Sequence, residues 1–242
     1  MFQQVEYIYI DCSYVIIKVL NAKLDNTLTN NIEISVNSAT CYKNNNIVLK
    51  NIDILLNNRE VLLITGPNGC GKTTLIESIC GIQNLESGYI SLNKVNIQNQ
   101  ECNYLDNILY IGHKNGLNDD LTVLENLEYL CVFDSSADSQ NTKQIRRSME
   151  YFNISKYESY MASQLSEGNK RRVALARLFL TRKKIWLLDE PLNNLDEETT
   201  KVLIKLFARH QDNQGLIVLS SHFDLSKELN NVKSFKMENQ SD

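Results

Sequence analysis

The 242-residue sequence contains no apolar run that approaches the roughly 18 residues of a membrane-spanning helix. If the protein works at a membrane, we therefore expect another subunit to supply the spans. Residues 1–30 also lack the basic segment of a secretory signal. They contain acidic residues and no arginine, which argues against an amphipathic transit peptide as well.

The six cysteines form no C-x-x-C pair and follow no regular spacing. Closely paired cysteines are typical of zinc sites, and regular cysteine patterns are typical of small disulfide-bonded proteins. The sequence indicates neither of these, and we expect free thiols in a reducing compartment. The cysteines are Cys12, Cys41, Cys70, Cys80, Cys102 and Cys131.

An excess of positive charge is absent too, because 25 Lys and Arg oppose 29 Asp and Glu, for a net charge of −4. Surfaces that bind nucleic acids are usually basic, so no nucleic-acid partner is expected. The chain is 43% hydrophobic and 22% charged, which is ordinary for a globular protein with a sizeable core. Its length predicts one large domain, with at most a modest appendage.

Glycine and proline are scarce, at nine and two residues, so their positions are informative. Three glycines and one proline fall in a single stretch that fits G-x-x-x-x-G-K-[ST], the phosphate-binding loop. The apolar run 61–65 before it predicts a buried strand, and the apolar spacing after it predicts a helix. The stretch consists of Gly66, Pro67, Asn68, Gly69, Cys70, Gly71, Lys72, Thr73 and Thr74.

The residues of this stretch suit the polyphosphate of a nucleotide. Glycines allow successive N–H groups to turn inward, and these groups bind phosphate oxygens together with the helix N-terminus. Lys72 adds a charge for the β- and γ-phosphates, and the Thr73 hydroxyl can ligate Mg²⁺. The alternative is an ordinary glycine-rich turn between a strand and a helix.

The remaining pattern predicts an α/β fold, in which a mixed β core carries an inserted helical subdomain. We interpret residues 1–30 as an extension of unknown role, with a short hairpin as its simplest structure. Residues 31–242 are predicted to form a single domain, in which residues 117–181 are mostly helical apart from a polar loop at 134–139. Tyr42, 24 residues before the phosphate loop, is either a stacking partner for an adenine ring or an ordinary core or surface tyrosine.

Two carboxylates follow the apolar run 185–188, which predicts a buried parallel strand. Sheets of this kind bind ligands at the carboxyl ends of their strands. Asp189 there suits Mg²⁺ and Glu190 can polarise a water that attacks a γ-phosphate, unless both belong to a solvated acidic turn. Residues 215–222 predict the last buried strand, and the chain ends about 20 residues later with a polar tail. His222 at its end is either a γ-phosphate contact or a structural histidine.

Ser166 and Gly168 lie at the start of a predicted helix, a position that can bind an anion but that many helices share. Ser166 precedes Asp189 by 23 residues. With the phosphate loop before them and the acidic pair and the histidine after them, residues from about 31 to 236 resemble an ATP-binding-cassette (ABC) ATPase domain. The Leu165-Ser166-x-Gly168 motif distinguishes that family from kinases, GTPases and other phosphate-loop proteins.

The resemblance implies that two such domains face each other head to tail, with two ATP molecules between them. Each ATP would lie on the phosphate loop of one subunit and on Ser166 and Gly168 of the other. The implied roles are adenine stacking for Tyr42, Mg²⁺ binding for Thr73 and Asp189, the catalytic base for Glu190, γ-phosphate sensing for His222 and a place across the dimer interface for Asp196.

The sequence departs from the family pattern at two places. His113 stands where the family has a glutamine that approaches Mg²⁺ and the attacking water, and because a histidine nitrogen can serve there, His113 is a catalytic candidate. In the helix-start motif, Glu167 replaces a small residue and Asn169 replaces glutamine. A Glu167 carboxylate directed inward would weaken closure on ATP, whereas one directed outward would simply cap the helix.

Finer detail resembles the ATP-binding subunit of the haem exporter of cytochrome c maturation. The matching stretches are residues 110–113, 121–127, 171–178 and 185–191. This resemblance implies a homodimer bound to small integral membrane subunits at the cytoplasmic face of the inner membrane, or at the matrix side of the mitochondrial inner membrane. ATP would there drive the release of a haem-loaded chaperone.

Three other functions stay open from the sequence alone. The first is the ATPase of another transporter. The second is a soluble cassette protein that acts on ribosomes or nucleic acid, and the third is a regulatory module with little turnover. A single cassette, the lack of a coiled coil and the acidic balance argue against the second. The departures at His113 and Glu167 allow the third.

Overall fold

The computed structural model describes residues 8–10, 14–16, 31–99, 104–132 and 142–239. The chain divides into two compact units, Met1–Asn30 and Asn31–Asp242. In the first unit, β1 (Ile8–Ile10) and β2 (Tyr14–Ile16) pair in antiparallel register, so the hairpin suggested by the sequence is present. Cys12, Cys102 and the polar loop predicted at 134–139 lie outside the described residues.

The second unit alternates strands and helices along the chain. Short 3₁₀ turns occupy Leu105–Asn107, Ser155–Tyr157 and Ala162–Gln164. The longer elements are β3 (Glu33–Lys43), β4 (Asn46–Asn57), β5 (Val61–Thr65), α1 (Lys72–Cys80), β6 (Ser87–Leu92), β7 (Val95–Asn96), β8 (Ile108–Ile111), α2 (Val123–Val132), α3 (Thr142–Tyr151), α4 (Glu167–Leu180), β9 (Ile185–Leu188), α5 (Glu197–Asp212), β10 (Leu216–Ser220) and β11 (Val232–Lys236).

Five strands form a parallel sheet in the order β11-β5-β10-β9-β8. β9 and β10 are buried along their whole length and consist of Leu, Ile and Val apart from Trp186 and Ser220. Near-continuous apolar runs of this kind are expected for strands that are covered on both faces. Because the strands are parallel, the side chains that follow β5, β8, β9 and β10 meet at one edge of the sheet.

The parallel sheet separates two hydrophobic cores. Val61 and Leu63 of β5 pack with residues of α2, α3, α4 and α5, whereas Leu62 and Ile64 pack with α1 and the second sheet. This alternation is the two-residue period of a strand. Burial of each such side chain contributes about 1.5–3 kcal/mol, so the strand that carries the phosphate loop is stabilised from both faces.

A second, antiparallel sheet has the order β4-β3-β6-β7. Ile34 and Val36 of β3 are buried and Ser35 between them is less so, which is the alternation of a strand that is covered on one face. The β3–β4 turn is formed by Asn44 and Asn45, whose φ angles are 52° and 66°. Asparagine tolerates this left-handed conformation, which a tight two-residue hairpin requires at both positions.

The segment between β8 and β9 contains α2, α3 and α4. Thr122 and Glu125 form a capping box at α2, since Glu125 Oε2 accepts from the Thr122 N–H at 2.7 Å and Thr122 Oγ1 accepts from the Glu125 N–H at 3.2 Å. Asn126 Nδ2 donates to three carbonyls of the preceding loop, which ties that loop to α2. Across residues 31–99, 104–132 and 142–239, no helix combines the length and the apolarity that a membrane crossing needs.

β10 is the last buried strand, as the sequence predicts. One more strand follows it that the sequence pattern does not predict: β11 pairs in parallel with β5 from Val232, opposite Val61, to Lys236, opposite Thr65. β11 lies at the edge of the sheet, where only Val232 and Phe235 are partly covered, so it lacks the continuous apolar run of the central strands.

Candidate active site

The phosphate loop connects the carboxyl end of β5 to the N-terminus of α1, which is the context that its motif requires. Gly66 and Gly71 have φ angles of 146° and 102°, a region that favours glycine. A Cβ atom at Gly66 would lie 2.4 Å from the carbonyl oxygen of Met237, and one at Gly71 would lie 2.7 Å from Cγ1 of Val48. Close packing and backbone conformation therefore both require glycine here.

Lys72 folds over the loop that precedes it. The residue is 6% exposed, and its Nζ donates to the carbonyl oxygens of Gly66 at 2.9 Å and Pro67 at 3.0 Å. The N-terminus of α1 adds partial positive charge, and no acidic residue of its first turn offsets that charge. The loop is therefore built to attract an anion.

Asp189 follows β9 and connects the ends of neighbouring strands. It is 2% exposed, and its two carboxylate oxygens accept from Thr73 Oγ1 at 2.8 Å and from Ser220 Oγ at 2.6 Å. Its N–H donates to the carbonyl of Ile111, at the end of β8, at 2.8 Å. The structure thus joins Thr73 and Asp189, the two predicted metal ligands. The sequence pattern does not single out Ser220, whose only signal is its place at the end of a buried strand.

Glu190 has a φ of 48°, which is uncommon for a residue with a side chain. Such strain costs about 1–3 kcal/mol and persists where neighbours hold the residue in place. The Glu190 N–H donates to Ser220 Oγ at 2.8 Å, and Asn193 Nδ2 donates to Glu190 Oε2. His222 Nε2 lies 3.9 Å from Glu190 Oε1. The structure therefore brings the predicted base and His222 together.

His113 and Tyr42 lie farther out on the surface. His113 is exposed on the loop that follows β8. Tyr42 is 45% exposed near the end of β3, and its neighbour Lys43 lies 4.0 Å from Glu77 of α1. The end of β3 that carries Tyr42 is thus close to the helix that follows the phosphate loop, although the contact is made by Lys43. The stacking role of Tyr42 and the catalytic role of His113 stay predictions.

Ser166 is the N-cap of α4, and its Oγ accepts from the Asn169 N–H at 3.3 Å. A Cβ atom at Gly168 would lie 3.0 Å from the carbonyl oxygen of Asn194. The Glu167 side chain is 74% exposed, with its carboxylate 3.9 Å from Lys170 Nζ. Of the two orientations considered for Glu167, the outward one is present, so the carboxylate does not cover the helix N-terminus.

Asp196, which the resemblance implies at a dimer interface, is the N-cap of α5. Its Oδ1 accepts from the Thr199 N–H at 3.0 Å, and Oδ2 accepts from Arg172 at 2.8 Å. The hydrogen bonds from Thr199 and the Arg172 guanidinium hold the pKa of Asp196 below its usual range. Its place at an interface between subunits stays a prediction.

Arg171 is a buried residue at this edge that the sequence pattern does not identify as functional. It is 5% exposed and belongs to α4. Its Nη2 donates to the carbonyl of Asp189 at 2.7 Å, and its Nη1 donates to the carbonyl of Gly112 at 3.0 Å. Burial lowers the pKa of Arg171, and the nearby charges of Asp189 and Glu190 oppose that effect. A charged residue among the apolar positions of α4 is the only signal that could have pointed to it.

The residues around Thr73 fit a magnesium ion that is shared with phosphate. Among the described residues, no three His, Cys, Asp or Glu side chains converge into a metal site of their own. Mg²⁺ usually binds through one or two carboxylates, with water and substrate phosphates as the other ligands. The hydroxyl of Thr73 and the carboxylate of Asp189, 2.8 Å apart beside the phosphate loop, are hard oxygen donors of that kind.

Comparisons with known proteins identify the family. The family model described as ABC transporter matches residues 49–193. The cytochrome c biogenesis ATP-binding export protein CcmA of Photobacterium profundum is 30% identical, over 84% of this chain and 99% of the relative. That of Aliivibrio fischeri is 33% identical, over 84% and 98%.

Solved structures show the same fold. The ATP-binding subunit of an ABC transporter superposes with a TM-score of 0.76 at 20% identity, covering 85% of this chain and 86% of that one. The ATP-binding cassette MJ0796, a dimer bound to ADP and Pi, superposes with a TM-score of 0.74 at 21% identity, covering 86% and 97%.

Proposed function

Because the chain belongs to the ABC transporter family, as an ATP-binding subunit that hydrolyses ATP, we propose that it powers the export complex of cytochrome c maturation. In this role hydrolysis drives the release of a haem-loaded chaperone from integral membrane subunits. The proposal is supported by the relatives from P. profundum and A. fischeri, which carry the name of that system and match this chain over 99% and 98% of their length.

The observation that carries the activity is the convergence of the phosphate loop, Asp189 and Glu190 at one edge of the parallel sheet. We propose that ATP phosphate oxygens replace the carbonyls of Gly66 and Pro67 on the Lys72 ammonium. The Glu190 carboxylate accepts a proton from water while the water oxygen attacks the γ-phosphorus and the bond to the ADP oxygen breaks. His222, beside Glu190, donates to a γ-phosphate oxygen.

Thr73 and Asp189 would hold Mg²⁺, which neutralises charge on the β- and γ-phosphate oxygens when it is bound. Ser220 orients both acidic residues, because its hydroxyl contacts the Asp189 carboxylate and the Glu190 N–H. His113 lies on the loop after β8. The carbonyl of Gly112, the residue before His113, accepts a hydrogen bond from Arg171. We propose that this loop moves His113 toward the attacking water when ATP is bound.

The second half of each ATP site comes from another subunit. Within one chain, Ser166 contacts Asn169 and Gly168 packs against Asn194, and neither partner belongs to the phosphate loop. A helix N-terminus that is open to an anion, in a chain with one phosphate loop, is explained by a head-to-tail homodimer with ATP between the subunits. We place this dimer, bound to membrane subunits, at the cytoplasmic face of the inner membrane or the matrix side of the mitochondrial one.

Purification from detergent-solubilised membranes tests the assembly. The tagged chain is expected to bring with it small integral membrane subunits and to hydrolyse ATP in their company. Recovery with ribosomes and without membrane subunits would contradict the transport function. A complex with intact membrane subunits and no turnover would contradict the enzymatic function and leave a regulatory module.

Release of the chaperone tests the cargo. The purified complex, loaded with haem chaperone, is expected to release it on addition of ATP and Mg²⁺, whereas the Glu190→Gln complex retains it. Equal release by both complexes would show that hydrolysis does not drive the release. Release that does not depend on haem would show that the chain powers a different export reaction.

A further inference from the structure

Arg171 contacts three elements of the site with one guanidinium. From α4, five residues after Ser166, its Nη2 reaches the Asp189 carbonyl at 2.7 Å. Its Nη1 reaches the Gly112 carbonyl at 3.0 Å and Asn115 Oδ1 at 3.4 Å. The same side chain therefore connects the helix that begins at Ser166, the strand end that carries Glu190 and the loop that carries His113.

A purely structural role explains this arrangement poorly. Burying a guanidinium costs free energy that a well-packed apolar side chain would avoid. Here the charge faces two carbonyls and an amide oxygen, and its planar, forked donors can hold acceptors on two separate segments at once. An arginine can therefore make the position of one segment depend on that of the other, which a shorter or apolar side chain cannot.

The neighbouring contacts show that the loop after β8 is fastened to α4 and α2. Lys170 Nζ bonds to Asp119 at 2.8 Å. Asn126 of α2 accepts from the Asn118 N–H at 2.8 Å. Movement of α4 is thus transmitted to residues 112–120 through several bonds, and Arg171 adds a bond from α4 to the carbonyl of Asp189.

From these contacts we infer that Arg171 is a positioning residue for hydrolysis, which couples the helix that begins at Ser166 to Glu190 and to the loop of His113. When the N-terminus of α4 closes on the ATP of the opposite subunit, Arg171 sets the backbone at Asp189 and Gly112 in the reactive arrangement. Each subunit thereby senses the ATP on its partner's phosphate loop. This inference rests on the proposed two-subunit ATPase.

The test compares Arg171→Lys and Arg171→Met with Arg146→Lys in the purified membrane complex. Arg146 lies in α3 and pairs with Glu158 on the protein surface, not with Asp189 or Gly112. Its variant therefore controls for an arginine-to-lysine change. We expect kcat to fall by about 10- to 100-fold in both Arg171 variants, as for small misplacements of catalytic groups, with KM for ATP changed less than about threefold. The control is expected to match the wild type.

A second readout separates positioning from folding. Hydrogen exchange of the amides of residues 112–121 with ATP present is expected to rise in Arg171→Lys while the melting temperature stays near that of the wild type. If Arg171→Met does not fold, the inference is tested with Arg171→Lys and Asn115→Ala instead. Asn115→Ala removes only one of the three acceptors of the guanidinium, so its kcat should fall less than that of Arg171→Lys.

Wild-type kcat and unchanged loop exchange in Arg171→Lys would overturn the inference, as would a rise in KM with kcat unchanged. An inactive wild-type complex would instead contradict the proposed ATPase itself, so the two failures are distinguishable.

Discussion

Thr73 Oγ1 donates a 2.8 Å hydrogen bond to Asp189 Oδ2, although 116 residues separate the two in the chain. The contact exists because β5 and β9 flank β10 in the parallel sheet, so the residues that follow β5 and β9 reach the same edge. Thr73 lies in the first turn of α1 and Asp189 directly follows β9, so neither can shift without its element. The pair therefore presents two oxygen atoms in a preformed arrangement that suits the proposed Mg²⁺ site.

Removal of the Thr73 hydroxyl is expected to weaken Mg²⁺ binding at the site. In Thr73→Ala, the Mg²⁺ concentration that gives half-maximal ATPase activity should rise by about 10- to 100-fold, since Asp189 loses its oriented partner. Thr73→Ser keeps the hydroxyl and should stay within about threefold of the wild type. Equal magnesium dependence of the alanine and serine variants would exclude the hydroxyl as a ligand.

Replacement of the predicted base is expected to stop hydrolysis and to leave binding intact. Glu190→Gln keeps the size of the side chain but cannot accept the proton of the attacking water, so kcat should fall by about 10²–10⁴-fold. ATP affinity, measured with a fluorescent analogue, should change little, because the phosphate loop is untouched. Unchanged turnover in this variant would assign the base to another residue.

Loss of the Ser220 hydroxyl is expected to lower both stability and activity. Ser220 is fully buried and joins the Asp189 carboxylate to the Glu190 N–H, so Ser220→Ala leaves two buried polar groups short of a partner. The cost should be about 2 kcal/mol. A protein of this size then melts about 6 °C lower, which thermal unfolding measures.

Ser78→Ala provides the matched control and its own prediction. Within the described part of the chain, Ser78 Oγ is buried with no hydrogen-bond partner, and the residue lies in α1. Alanine removes that unsatisfied group and is a better helix former, so stability should rise by about 0.5–1 kcal/mol. A fall in melting temperature comparable to that of Ser220→Ala would show that serine burial, not hydrogen bonding, determines both effects.

His210 is expected to make the protein sensitive to mild acid. Its ring stacks on Trp186, with centroids 3.6 Å apart, and burial lowers the pKa of His210 from 6.5 to about 3. Above pH 6.5 both states are neutral and the residue adds no pH dependence. Below pH 6.5 only the unfolded state gains the proton, so the free energy of unfolding falls until the native state also titrates near pH 3.

From pH 6.5 to 5 this loss should amount to about 2 kcal/mol, measured by urea unfolding at each pH. His210→Gln keeps a polar group for the Lys184 carbonyl, which His210 contacts at 3.1 Å, and does not titrate. Its stability should therefore vary less over that range than the wild type's. Parallel curves for the two proteins would show that His210 has the same pKa in the folded and unfolded states.

The local parts of the site could be predicted from the sequence because neighbouring residues determine them. The apolar run 61–65, the glycine-rich turn and the helix after it depend on short-range sterics and hydrogen bonds, and the structure has all three in place. The capping box at Thr122 and Glu125 is equally local. The run before Asp189 predicts a buried strand because only such strands are apolar throughout.

What the sequence by itself determined is thus the phosphate loop, the strand before Asp189 and Glu190, and the start of α4 at Ser166. Only the tertiary structure decided which groups touch them: Ser220 on the two acidic residues, Arg171 behind Asp189, and β11 along β5. The physical reason is that strand order selects partners far apart in the chain. No periodic sequence pattern predicts a buried arginine, a serine at the end of a strand or an edge strand.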